Sequence, residues 1–289
     1  METSAGLKTS KTRDTNIELL RIIAMMMIVA HHYIWHGEAL KQTALYSSNW
    51  FFSWTIEAIC VVAVNCYVLI SSYYLVNSQF KINRLIKIWL QILFYSTVIY
   101  LILVATGFEH LSIKNLVTSC LPILTNRYWF ATVYIALYIF SPFLNTLIHA
   151  LNHNQMRNLV IILFAMLSIW PTILPFGFSL DITNGYSIIQ FGFLYFLGAY
   201  IRLYWNFNLK WTFYFNFYVV ISILIICSKI LFEFLGFNGL SYTFFLYNSA
   251  SVILSSVMLF MFFKSISINN YIINKIINSI AVLTFGVYL

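Results

Sequence analysis

The sequence predicts an all-α polytopic membrane protein, and three observations carry this prediction. Hydrophobic residues make up 61% of the 289 residues and charged residues only 8%, whereas a soluble domain carries about 25% charged residues. Runs of roughly 20 apolar residues, long enough to cross about 30 Å of hydrocarbon, follow one another along nearly the whole chain. Lys and Arg gather in alternate polar breaks. We therefore expect a single integral membrane domain over residues 1–289.

Polar breaks divide the chain into about nine transmembrane segments. The first follows a cytoplasmic tail, residues 1–15, and is expected to be a retained helix, because it contains Arg21 and two histidines and lacks the cleavage site of a signal peptide. Residues 112–125 are too short and too polar to span, so they are expected to lie at the interface or to re-enter. The predicted helices lie near residues 16–36, 50–76, 86–106, 128–150, 159–176, 187–204, 212–232 and 242–263, with a ninth beginning near Asn274.

The distribution of positive charge predicts a cytoplasmic N-terminus. In this orientation twelve of the 16 Lys and Arg residues face the cytoplasm, which is the asymmetry expected of membrane proteins. Topology thus explains the net charge of +8, and we expect the lipid bilayer rather than nucleic acid as partner. The cytoplasmic residues are Lys8, Lys11, Arg13, Arg21, Lys81, Arg84, Lys87, Arg157, Arg202, Lys210, Lys264 and Lys275.

The four cysteines have no paired spacing and all lie in apolar surroundings. They therefore suggest neither a disulfide framework nor a zinc site. We expect them to be packing residues and expect no metal. They are Cys60, Cys66, Cys120 and Cys227.

The first predicted helix carries a stripe of ionisable residues. Arg21 and His32 are eleven residues apart, so they lie about 20° apart around the helix and about 16 Å apart along its axis. Ionisable groups within a bilayer are costly and usually face a functional cavity. Taken singly, Arg21 could be an interfacial anchor and His32 a packing residue, but together they favour function. His31 lies about 100° from His32 and is expected to be secondary.

The residue types on this stripe indicate a chemistry. An arginine at the cytoplasmic end can hold phosphate through two parallel hydrogen bonds. A deep histidine, neutral near pH 7, can accept a proton from an attacking hydroxyl. The stripe therefore predicts that a phosphorylated donor enters from the cytoplasm and reacts further out.

The sequence resembles the acyltransferase 3 family. Its first helix, with Asn16-Ile-Glu-Leu-Leu-Arg-Ile-Ile-Ala24 followed by His31-His32-Tyr33, is similar to that family's signature opening, including ten residues between Arg21 and His32. One departure is Ser72, where the family commonly has glycine, which puts close helix packing there in doubt. Further similar segments are Val64 to Ser71, Tyr128-Trp129-Phe130, Ser141 to Asn145, Leu197 to Arg202 and Thr284 to Leu289.

The resemblance implies an integral membrane O-acyltransferase of the cell membrane, in the manner of bacterial glycan O-acetyltransferases. Such an enzyme moves an acyl group, often acetyl from cytoplasmic acetyl-CoA, to a hydroxyl of an extracytoplasmic glycan or glycan lipid. The resemblance further implies that Arg21 binds the donor and that His32 is catalytic. Family members usually have ten helices, and the apolar run Ile280–Leu289 lacks a polar terminator, so we expect the complete protein to continue.

Two further residues complete the predicted site. Arg84 is the best candidate for donor binding among Lys81, Arg84 and Lys87, although ordinary cytoplasmic charge also explains this cluster. Glu57 is predicted at a depth close to that of His32 and could orient its imidazole. The alternative is a neutral, buried carboxyl group.

Two other functional classes compete with the acyltransferase interpretation. A transporter or flippase for a lipid-linked glycan or another anionic substrate would also need polar groups in a helix-lined cavity. Transporters often contain repeated, broken helices, and the sequence shows no such repeat. A membrane sensor or scaffold would not require His32.

Overall fold

The computed structural model describes residues 14–37, 40, 43–175, 180, 183–207 and 209–288, and these residues form helices and turns without any strand. Of the predicted cytoplasmic tail, only Asp14 and Thr15 lie within the described residues. The helices are α1 Thr15–His36, α2 Ser48–Cys60, α3 Ala63–Leu75, α4 Ile82–Ala105, α5 Ile113–Cys120, α6 Trp129–Ala150, α7 His153–Phe164, α8 Trp170–Ile173, α9 Ile188–Leu203, α10 Trp211–Phe234, α11 Ala250–Ser265, α12 Tyr271–Ala281 and α13 Thr284–Tyr288, with a π-helical turn Ala165–Ile169 and a 3₁₀ helix Leu240–Phe245.

The described helices confirm the predicted polytopic membrane class. The α9 helix has 16 residues and so extends for only about 24 Å, yet its apolar residues are largely buried. The last predicted segment is divided into α12 and α13 by a turn at Val282 and Leu283. Among the described residues, seven segments are long and apolar enough to cross a membrane: Thr15–Trp35, Ser48–Leu75, Ile82–Ala105, Trp129–Ala150, His153–Ile173, Trp211–Phe234 and Leu240–Ser265.

The span formed by α2 and α3 lies at the centre of the bundle. Its residues are mostly buried, whereas α4 and α10 expose most of their apolar side chains. A helix that is apolar all round but remains exposed is suited to contact with lipid. The α3 helix packs against α1, α9 and α11, and α1 also contacts α2 and α12. These contacts place α1 against the centre of the bundle.

Close packing at Ser72 is retained, because a glycine lies opposite it. A Cβ atom added to Gly198 of α9 would lie 1.8 Å from Ser72 Oγ and 3.0 Å from the Leu69 carbonyl oxygen. The Ser72 hydroxyl donates to that same carbonyl oxygen over 3.0 Å. The small residue at this crossing is thus supplied by α9, which allows the two helix backbones to approach closely.

Helix boundaries differ from the predicted ones where local hydrogen bonds extend or break a helix. The α7 helix begins at His153, six residues before the predicted start, because Asn152 and Gln155 form a reciprocal capping box. The π-helical turn directly precedes the segment with Pro171, whose ring disfavours regular α-helical bonding. As predicted, the region 112–125 does not span, since α5 has only eight residues.

Candidate active site

The N-terminal half of α1 holds a charged pair. Glu18 is buried, and its Oε2 lies 2.9 Å from Nη1 of Arg21, whose side chain is 26% exposed. The Tyr67 hydroxyl donates to the Arg21 carbonyl oxygen over 2.9 Å. Glu18 therefore holds one nitrogen of the guanidinium group and Tyr67 anchors the Arg21 backbone, while part of the arginine side chain remains accessible.

Arg21 opens into a cavity of about 560 Å³, which we call the inner cavity. The predicted donor-binding residue Arg84 lines it together with Lys87, so the fold brings three cations to one space. Lys81 instead caps α4, where its backbone N–H donates to the Tyr138 hydroxyl over 3.1 Å. Polar and aromatic groups complete the wall: Tyr67, Ser71, Tyr74, Gln91, Tyr134 and Thr284.

A second, much smaller space lies beside the C-terminal half of α1. It has a volume of about 10 Å³, roughly enough for one water-sized sphere. Both His31 and His32 line it, with Trp129 and Tyr247 opposite and the break between α2 and α3 alongside. We call it the histidine cavity. The break leaves this part of the wall without regular helix at Val61 and Val62.

Glu57 contacts a different histidine from the one that we predicted. Its carboxylate oxygens lie 2.8 and 3.0 Å from Nδ1 of His31, and both side chains are almost fully buried. His32, the expected partner, is exposed and its ring centroid lies 5.7 Å from that of His31. The rotation of α1 against α2 explains the difference, since neighbouring residues on a helix point about 100° apart.

The other ring nitrogen of His31 faces a tyrosine that is distant in sequence. His31 Nε2 lies 3.2 Å from the Tyr247 hydroxyl. With an ionised Glu57, which only accepts hydrogen bonds, a neutral His31 carries its hydrogen on Nδ1 and a lone pair on Nε2. The arrangement orients an imidazole whose basic nitrogen points at Tyr247.

The inner cavity and the histidine cavity adjoin each other. Ile28 and Phe130 line both spaces, so the two cavities share these apolar side chains. The site therefore combines a wide cationic space near Arg21 with a small space beside a buried imidazole. Both spaces are lined by residues of α1.

The sequence alone did not identify several residues of the histidine cavity as members of the site. The sequence gives His31 only a secondary role and assigns no role at this site to Trp129. Trp129 in fact lines the histidine cavity, 6.0 Å from the Tyr247 ring and nearly parallel to it, while Arg127 donates to the Ser119 hydroxyl over 2.6 Å. The sequence signals for these residues were the adjacent histidines His31 and His32 and the family-like segment Tyr128-Trp129-Phe130.

Comparison with known proteins gives one positive result. A family model described as "Acyltransferase domain" matches residues 14–289, which is nearly the whole chain. No curated protein and no solved structure matches the chain.

Proposed function

The chain belongs to the acyltransferase 3 family and is a membrane acyltransferase; we propose that it is an O-acetyltransferase that moves an acetyl group from cytoplasmic acetyl-CoA to a hydroxyl of an extracytoplasmic or surface polysaccharide. The observation that carries this proposal is the adjacency of the two cavities at Ile28 and Phe130. It connects a cationic space to a hydrogen-bonded histidine, which are the two parts that acyl transfer from a phosphorylated donor requires.

The inner cavity suits the phosphate-bearing end of acyl-CoA. Arg21, Arg84 and Lys87 supply positive charge around one space, and charge-assisted hydrogen bonds to phosphate are stronger than neutral ones. Arg21 is the main anchor in this proposal, because Glu18 and Tyr67 already hold it in place. Less conformational freedom is then lost when the donor binds.

The thin thiol-bearing arm of the donor extends outward from the inner cavity. In our proposal it passes between Ile28 and Phe130, which line both spaces, and presents its thioester to the histidine cavity. The small volume there leaves little room for water, which would otherwise hydrolyse the thioester. The small cavity thus favours transfer over hydrolysis.

The histidine pair supplies acid–base chemistry in the proposed reaction. His31 acts as general base, since Glu57 orients its ring and stabilises the imidazolium cation that forms. The acceptor oxygen bonds to the thioester carbon, the C–S bond breaks, and the proton taken by His31 passes to the departing thiolate. His32, the base expected from the sequence, lines the same cavity and is assigned a hydrogen bond to the thioester carbonyl oxygen.

Label transfer in sealed membrane vesicles tests this proposal. Vesicles are prepared from host cells that express the full chain and from cells that lack it, in inside-out and right-side-out orientation, and receive acetyl-CoA labelled in the acetyl group. We expect base-labile label in the polysaccharide fraction only for inside-out vesicles that contain the chain. Equal label without the chain would refute the proposed function. Loss of glycan export together with acylation would favour a transporter instead.

A further inference from the structure

We propose that Tyr247 relays the proton from the acceptor hydroxyl to His31, and so is a further catalytic residue of this site. The inference rests on the proposed function, because it assigns a role within acyl transfer. Its basis is the continuous chain of polar contacts from Glu57 through His31 to Tyr247, all within the histidine cavity or next to it.

The Tyr247 hydroxyl is the group that faces the proposed base. The Nε2 atom of His31 points at the Tyr247 hydroxyl, 3.2 Å away, and His31 itself is only 6% exposed. A polysaccharide hydroxyl is attached to a bulky sugar ring. In this proposal it therefore reaches His31 through the Tyr247 hydroxyl, which already faces Nε2. A tyrosine hydroxyl can serve, since it donates one hydrogen bond and accepts others.

Three elements hold the Tyr247 ring in one position. Asn65 of α3 donates from Nδ2 to the Tyr247 carbonyl oxygen over 2.8 Å. Gly185 packs so closely that an added Cβ would lie 2.7 Å from the Tyr247 Cβ. Trp129 stacks on the ring at 6.0 Å, and the Tyr186 ring lies 5.0 Å away. A relay needs this rigidity, because proton transfer depends on short and fixed donor–acceptor distances.

The proton balance of the relay closes within the site. As the acceptor oxygen attacks the thioester carbon, its proton moves to the Tyr247 oxygen and the original Tyr247 proton moves to His31 Nε2. The imidazolium cation is held by Glu57 at Nδ1. When the C–S bond breaks, the proton returns from Nε2 through Tyr247 to the thiolate sulfur. The products are the acetyl ester and the free thiol, and all three side chains recover their starting state.

Tyr247→Phe tests the relay, with Tyr218→Phe as the matched control. Both tyrosines are 5% exposed, and Tyr218 also uses its hydroxyl in a buried hydrogen bond, to the Ile59 carbonyl oxygen over 2.8 Å. Inside-out vesicles with equal amounts of folded full-length protein receive labelled acetyl-CoA, and the glycan of those membranes serves as acceptor. We expect kcat to fall roughly 10- to 100-fold for Tyr247→Phe, with the KM for acetyl-CoA unchanged, and expect no such change for Tyr218→Phe.

A proton inventory separates a relay from a merely structural role. In mixtures of H₂O and D₂O, two protons moving together give a curved dependence of kcat on deuterium fraction, whereas one moving proton gives a straight line. We expect a curve for the parent protein and a line for Tyr247→Phe. The relay would be overturned by the same curve for the parent protein and Tyr247→Phe, by a straight line for the parent protein, or by full activity of Tyr247→Phe. None of these results would contradict the proposed function. A parent protein without any acyl transfer would overturn the function itself.

Discussion

The inner cavity and the histidine cavity lie next to each other along α1 but differ in size, charge and exposure. The inner cavity has a volume of about 560 Å³, and its cations Arg84 and Lys87 are exposed. The histidine cavity has a volume of about 10 Å³, and its hydrogen-bonded groups His31, Glu57 and Tyr247 are all buried.

This difference shows how one helix can serve two parts of a reaction. Binding a large, hydrated phosphate group needs space and mobile positive charge, and much of that charge can remain in water. Proton transfer needs fixed distances and little water, because each electrostatic contact is stronger where the local dielectric constant is low. Variants in the two cavities should therefore change different kinetic constants.

His31→Ala is expected to have the largest effect. Loss of the general base should lower kcat by about 10²- to 10⁴-fold, while the KM for acetyl-CoA stays nearly constant. The rate of label transfer in inside-out vesicles measures both constants. His110→Ala, an exposed histidine in a loop, is the control. If His32→Ala is inactive while His31→Ala retains full activity, the base is His32 and the assignment of His31 is wrong.

Glu57→Gln should have the next largest effect, again on kcat. The neutral amide can still contact Nδ1 of His31 but cannot stabilise the imidazolium cation by charge. A charge-assisted hydrogen bond contributes about 1.5–3 kcal/mol, so we expect kcat to fall roughly 10- to 100-fold. Steady-state kinetics measures kcat for Glu57→Gln and for Glu57→Asp. We expect Glu57→Asp to have a kcat between those of Glu57→Gln and the parent protein, because it keeps the charge. If Glu57→Gln keeps the kcat of the parent protein, the charge of Glu57 does not contribute to catalysis.

Arg21→Ala should change mainly the KM for acetyl-CoA rather than kcat. Loss of the donor anchor is expected to raise the KM for acetyl-CoA roughly 10- to 100-fold, with a smaller change in kcat. Arg157→Ala removes an exposed charge elsewhere on the predicted cytoplasmic side and should leave the KM unchanged. Arg21→Lys keeps the charge but loses the two-pronged geometry and should give an intermediate KM. Equal increases for Arg21→Ala and Arg157→Ala would indicate a general effect of surface charge.

Gly198→Ala should have the smallest effect on kinetics, because the added methyl group meets α3 at Ser72 and touches neither cavity directly. This helix supplies Val64 to the histidine cavity and Ser71 to the inner cavity. The added methyl group meets Ser72 Oγ, and overpacking of this kind costs about 1–3 kcal/mol. We expect a lower melting temperature in detergent, with kcat and KM of the folded fraction within about twofold of the parent values.

A second substitution checks the physical origin of that destabilisation. Ser72→Gly in the Gly198→Ala background removes the clashing atoms and should restore much of the melting temperature. If Gly198→Ala alone is as stable as the parent protein, the close approach of α3 and α9 does not limit stability at this point.

The sequence by itself determined the polytopic membrane class, the approximate bounds of most apolar helices, and the alignment of Arg21 with His32 on one face of α1. These features follow from hydrophobicity and from the fixed 100° rotation per residue within a single helix. The α7 start was misplaced because the capping box lies in a polar stretch, where hydrophobicity carries no signal.

Only the tertiary structure decided which side chains meet. The sequence of α1 defines the angle between His31 and His32, but packing against α2 defines how the whole helix is rotated, and that rotation gives Glu57 to His31. Tyr247 lies 216 residues from His31 in sequence, so no local periodicity could connect them. The division into a wide cationic cavity and a small histidine cavity likewise depends on packing, because Ile28 of α1 and Phe130 of α6, which line both cavities, are distant in sequence.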